Sequence, residues 1–217
     1  MTMFTMPDLH IGISLYDKNN DLKISYREPG HSWTRNGYML LLATMTDVVG
    51  DEGGIFGAGY LASKATDNSV QDDLFTGNRG SSVCPTTANG AVNSSSGITL
   101  GIIAGTDDTV FSAEDNILGA LASTLTYQAQ VAPVASYNAA TDVWTVTHTR
   151  IIYNGSGGTI TVKEVGIYWK GALFSSATTN RTYLIARDVL TTPVALTNLD
   201  TLRIDYDMSV DFSAIDA

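Results

Sequence analysis

The chain has 217 residues, a single cysteine and a formal net charge of −10. That length fits one large domain, or one domain with an appendage, able to bury a core without disulfides or metal. The charge deficit is spread along the chain, 6 bases against 10 acids over residues 1–97 and 6 against 12 over 98–217, so nucleic acid and anionic membrane surfaces have no electrostatic basis as partners.

Apolar residues make up 44% and charged residues only 16%, and 27 Thr with 20 Gly fill much of the remainder. Such a mixture favours strands and turns over helices. Cys84 has no partner for an intrachain disulfide. Residues 1–16 contain no Lys or Arg, and the longest apolar runs, 39–43 and 98–104, are far short of the ~20 residues of a membrane span. A soluble protein made in a cytoplasm is expected.

In chain order, Leu9, Ile11, Ile13 and Leu15 alternate with His10, Gly12, Ser14 and Tyr16, the period of a half-buried strand. The polar run 17–21 predicts a turn, Leu22, Ile24 and Tyr26 a return strand, and Pro29-Gly30 its end. Ser32 is the expected N-cap of a helix over 33–46, weakened by Gly37. Residues 48–97 have poor periodicity and many Gly, Asn, Ser and Asp, and read as an irregular arm that neighbouring subunits would order. The division expected is 1–47 (hairpin plus helix), 48–97 (arm or loop, with 47–97 open to integration into one domain) and 98–217 (β-sandwich).

Strands are expected at 98–104, 125–131, 143–153, 159–169, 183–190 and 201–210. In the Gly-rich loop Asn154-Gly155-Ser156-Gly157-Gly158 the composition predicts a hairpin connection, and the apolar phase shift between Val162 and Val165 predicts a bulge near Lys163–Glu164. The fold class is mainly β: an antiparallel, jelly-roll-like sandwich with an N-terminal hairpin, one short helix and a long irregular arm.

The sequence nominates no catalytic, cofactor or metal residues. His10, His31 and His148 have no metal-like spacing, and no Gly-x-Ser-x-Gly elbow nominates a nucleophile. Residues 57–62 match a relaxed G-x-G-x-x-A, but no apolar strand precedes them to aim amides at a pyrophosphate. Asp17, Asn19, Asp21, Ser25 and Glu28 fall at positions 1, 3, 5, 9 and 12 of an EF-hand-like loop. Leu22 stands where that loop needs Gly, so a solvated turn is preferred over calcium. Asp107-Asp108 reads as a turn. Cys84 has no base beside it to activate its thiol. Sequons at Asn93, Asn154 and Asn180 are expected to be unused. Trp33, Trp144 and Trp169 suit core or interface, or stacking on sugars.

Several longer stretches carry a resemblance. They are 101–112 with Glu114-Asp115-Asn116, then 154–168, then Leu184-Ile185-Ala186-Arg187-Asp188-Val189-Leu190-Thr191-Thr192-Pro193-Val194, with 30–36 and Phe56-Gly57-Ala58-Gly59 before them. Together they resemble a family of tailed-bacteriophage virion proteins. The resemblance implies a β-rich, non-enzymatic structural protein on the virion exterior, made in the host cytoplasm: a head-decoration (cement) protein with no catalytic residues to transfer. Its implied partners are the major capsid protein and neighbouring copies of itself, as a homo-trimer by analogy, with neither nucleic acid nor membrane. A tail, baseplate or fibre component is the alternative within that class, and a glycan-binding sandwich for host attachment the alternative outside it.

Overall fold

The alternation of residues 9–16 becomes strand β1 (Asp8–Tyr16), and β2 (Leu22–Gly30) returns beside it in a computed structural model that describes residues 7–30, 32–38, 63–64, 70–71, 74–75, 100–173 and 180–213. Asp17 builds the turn: its Oδ1 accepts the amides of Asn19 and Asp21 at 2.8 and 2.9 Å, and Asn20 takes φ 68°, a left-handed conformation Asn tolerates. On its other side β1 pairs along its whole length with β12 (Thr201–Asp211), from Asp8 opposite Ser209 to Tyr16 opposite Thr201. The first and last described strands therefore share one sheet.

Beyond β12 lies β9 (Val143–Tyr153), and along its far edge run first β7 (Thr126–Tyr127) and then β8 (Val134–Asn138). The second sheet centres on β10 (Ile160–Leu173). It is flanked on one side by β11 (Asn180–Leu196), and on the other by β6 (Gly101–Gly105) and β5 (Leu74–Phe75). A separate short pair joins β3 (Ser63–Lys64) to β4 (Val70–Gln71). All pairings are antiparallel, as a sandwich requires.

Between the sheets, Ile11, Ile13, Ile152, Leu202, Ile204 and Tyr206 meet Val162, Val165 and Ile167, all fully buried. Each such side chain contributes about 1.5–3 kcal/mol of transfer free energy. The second sheet is buried on both faces: β6 is buried throughout, and so are residues 164–169 and 183–188. Its outer side is covered by the segment 106–125, which we call the strap. That double burial explains the continuous apolar reading of Gly101-Ile102-Ile103-Ala104.

Expected and observed elements differ in four places. Residues 154–158 do not close a hairpin: β9 and β10 belong to different sheets, so the loop crosses from one layer to the other. Helix is present at 35–38, and residues 39–46 lie outside the described residues. Its cap is Thr34 rather than Ser32, with Thr34 Oγ1 accepting the Gly37 amide at 3.4 Å. Ser32 is diverted because the chain there extends the second sheet past β11, its carbonyl accepting the Arg187 amide at 3.0 Å. Finally, β8 is an additional strand, and the expected 125–131 strand shortens to β7. The bulge lies where the phase shift predicts it, between Val162 and Glu164.

Two glycines are required by packing. A Cβ on Gly37 would stand 2.4 Å from the Ile185 carbonyl oxygen, so the helical turn touches β11 backbone to backbone. Gly101 has φ 82°, and a Cβ there would lie 1.7 Å from Gln130 Oε1, the atom that accepts the Ile102 amide at 3.1 Å. Gly101→Ala combines a left-handed backbone with overpacking and is expected to cost about 2–4 kcal/mol, read as a lower urea midpoint at unchanged slope.

Candidate interaction surface

The described residues offer two kinds of polar group: those spent inside the molecule and those displayed outside it. Inside, Glu164 is fully buried on the outer side of β10 and accepts the strap amides of Gly119 and Ala120 at 3.2 and 2.9 Å. Arg187, from the adjacent β11, donates Nε to Glu164 at 2.7 Å, Nη1 to Asp115 at 2.7 Å and Nη2 to the Thr109 carbonyl at 2.9 Å. Burial works against the guanidinium charge, but the carboxylates of Glu164 and Asp115 outweigh it and raise the Arg187 pKa. The strap is completed by Tyr168 Oη, which accepts the Leu118 amide at 2.8 Å.

Outside, the exposed side of the first sheet carries a polar ladder. Thr147 donates to Asp207 at 2.6 Å, Thr149 donates to Asp205, and Thr145 meets Ser209 at 2.9 Å. Arg27 and Arg203 add ion pairs to Asp207 and Asp205 at 2.8 and 2.9 Å. Successive rungs come from β9 and β12 in register, which is why alternate residues of both strands are hydroxyl or carboxylate.

At one end of this sheet the β8–β9 hairpin projects. All five residues of β8 are exposed. Tyr137 and Trp144 stack with ring centroids 5.1 Å apart, yet remain 48% and 47% exposed. Tyr137 Oη donates to Asp142 at 2.9 Å, and that bond to a carboxylate raises the phenol pKa.

The sequence candidates fall as follows. His10 points to the outer side of the first sheet and His148 to its inner side, opposite Tyr206, so the two cannot share a site; His31 lies outside the described residues. The structure disperses the EF-hand-like set of Asp17, Asn19, Asp21, Ser25 and Glu28. Asp17 is occupied closing the turn, Ser25 meets Ser14 at 3.3 Å, and Glu28 sits buried near the far end of β2, accepting the amide and hydroxyl of Thr191. Among the described residues no group of three or more His, Cys, Asp or Glu is placed to hold a metal. Asp108 pairs with Lys163 at 2.8 Å, at the rim of an open groove of about 450 Å³ lined by Thr106, Leu121, Ser123 and Thr161.

Asn154 is fully buried, its amide donating to the Gly158, Leu196 and Thr197 carbonyls, which leaves no nitrogen accessible for glycosylation. Trp33 donates Nε1 to the Pro7 carbonyl at 2.8 Å and Trp169 is 2% exposed, so Trp144 is the tryptophan displayed for stacking. Cys84 and residues 57–62 lie outside the described residues, and of the expected arm β5 is seen joining the second sheet. No helix among the described residues is long and apolar enough to cross a membrane. What sequence reading missed is the Glu164–Arg187–Asp115 brace, whose members are too far apart in the chain to form a motif.

Removing one member of a buried ion pair strands the other. Arg187→Ala should therefore cost about 3–5 kcal/mol and release hydrogen-exchange protection across the strap, whereas Arg203→Ala on the ladder should stay within about 0.5 kcal/mol. Burial lowers the His148 pKa below its ordinary 6.5. The unfolded chain then binds the proton more readily, so stability is full above pH 6.5 and falls as pH drops through the depressed folded value. Unfolding midpoints measured from pH 7.5 to 5 should decline in the native protein and flatten in His148→Gln. Comparison with protein-family models, characterised proteins and solved structures returned no significant match.

Proposed function

We propose that the protein is a non-enzymatic structural component of a tailed-bacteriophage virion: a decoration (cement) protein on the outer surface of the head, contacting the major capsid protein and neighbouring copies of itself. The observation that carries the reading is the division of polar groups. The buried acids and bases are used to pin a strap and join two sheets, while the outward hydroxyls, carboxylates and arginines bond to one another in a ladder across β9 and β12. Pre-organised surfaces suit repeated low-affinity contacts multiplied over a shell.

Two further points agree with it. The stretches that resemble phage virion proteins contain the brace itself, Glu164 in 154–168, Arg187 in 184–194 and Asp115 in Glu114-Asp115-Asn116, so the resemblance includes residues that hold this fold together. A charge of −10 also carries no penalty on the outside of a shell, away from packaged DNA.

The test is to locate the chain on virions that contain it and to add purified protein to heads stripped of it. Many copies spread over the head shell, with rebinding that slows thermal release of DNA, are expected. A few copies confined to the tail would overturn the head assignment in favour of a tail or baseplate part. Glycan binding that Trp144→Ala abolishes, without head binding, would overturn the virion-shell reading altogether.

A further inference from the structure

Residues 116–141 form 26 consecutive positions without a single charged side chain, and β8 lies inside that run. Its side away from β9 has no strand beside it among the described residues, and all five of its residues are exposed. Natural edge strands are guarded by charges, prolines or burial. The opposite edge of the same sheet is guarded in this way: β2 carries Lys23, Arg27, Glu28 and Pro29. In β8, Val134-Ala135-Ser136-Tyr137-Asn138, no guard stands within the strand.

We propose that β8 is a self-association edge, pairing antiparallel with β8 of a second copy across a two-fold axis at Ser136. The choice of a second copy follows from charge and symmetry. Two chains of net charge −10 repel at most approaches, and an uncharged strand lets them meet without like charges in register. Antiparallel pairing centred on Ser136 sets Val134 opposite the partner's Asn138 and Ala135 opposite the partner's Tyr137.

The faces also match. Ser136 lies on the ladder side, opposite Thr145, while Tyr137 lies on the other side in a row with Trp144 and Val210. Joining two copies continues that row from Val210, Trp144 and Tyr137 onto the partner's Ala135 and the partner's Val146. The aromatic pair, about half exposed in one chain, would then lie within a continuous twelve-strand sheet. This inference rests on the sandwich and not on the capsid reading, which head binding tests separately.

Light scattering coupled to size exclusion, run on the full chain over a concentration series, should give twice the 23.1 kDa chain mass. S136K and S136D each place like charges face to face on the axis and should halve the mass, with the circular dichroism of the folded chain unchanged because Ser136 is exposed. An equimolar mixture of the two variants should restore the native mass. A native chain that is monomeric throughout, an oligomer whose mass S136K leaves unchanged, or a mixture that fails to reassociate overturns the proposal.

Discussion

The buried carboxylate of Glu164 is the constraint on which the rest of the structure depends. A regular strand would place residues 162 and 164 on the same side, which here is the apolar interior between the sheets. The bulge between Val162 and Glu164 breaks that period, so Val162 and Val165 both enter the core and Glu164 turns to the opposite side. There it accepts two strap amides and the Arg187 guanidinium, partners enough to offset the cost of burying the charge. The strap in turn covers the second sheet. A local irregularity of one residue thus decides that this sheet is buried twice.

A second set of buried polar groups joins the layers. Tyr206 of β12 donates to Asp188 of β11 at 2.7 Å, and burial, then the nearby Asp188 carboxylate, pushes its phenol well above the ordinary range. Arg150 of β9 reaches the Leu100 and Ile102 carbonyls at 2.6 and 3.3 Å and lies 5.2 Å over the Tyr127 ring. At the other end, Asn154 and Asp200 tie the crossing loop to the β11–β12 turn, and Lys23 reaches Asp200 at 2.9 Å. Burial opposes the Asp200 charge, but Lys23 and Thr197 hold its pKa down. These contacts fix the relative placement of the sheets, which apolar packing alone specifies less sharply.

Strands with one buried face were legible because their side chains report that face. Residues 143–153 and 201–210 fall within a residue of β9 and β12 for this reason. β8 was not legible: exposed on both faces, it has no alternation to read, and Pro133, Ala135 and Asn138 look like a loop. The loop 154–158 has the composition of any tight connection, and composition cannot say whether the next strand pairs beside the last or crosses to another layer. The helical cap moved from Ser32 to Thr34 because pairing with β11 claimed Ser32 first. Of the site residues, the turn at Asp17 was readable from local spacing, whereas Glu164, Arg187 and Asp115 become neighbours only through strand register.

The pairing of β1 with β12 has a consequence for how the protein is made. The hairpin β1–β2 is translated before every other described strand, yet β12, which flanks β1 on its other side, comes after all of them. Until then Leu9, Ile11, Ile13 and Leu15 have no sheet to complete, and the central seam must close over almost the whole length of the chain. Such long-range pairing folds slowly and leaves apolar edges open in the meantime. The polar turn at 17–21 and the charges of β2 sit on the part of the molecule that waits longest for its partner, where charged edges oppose premature pairing.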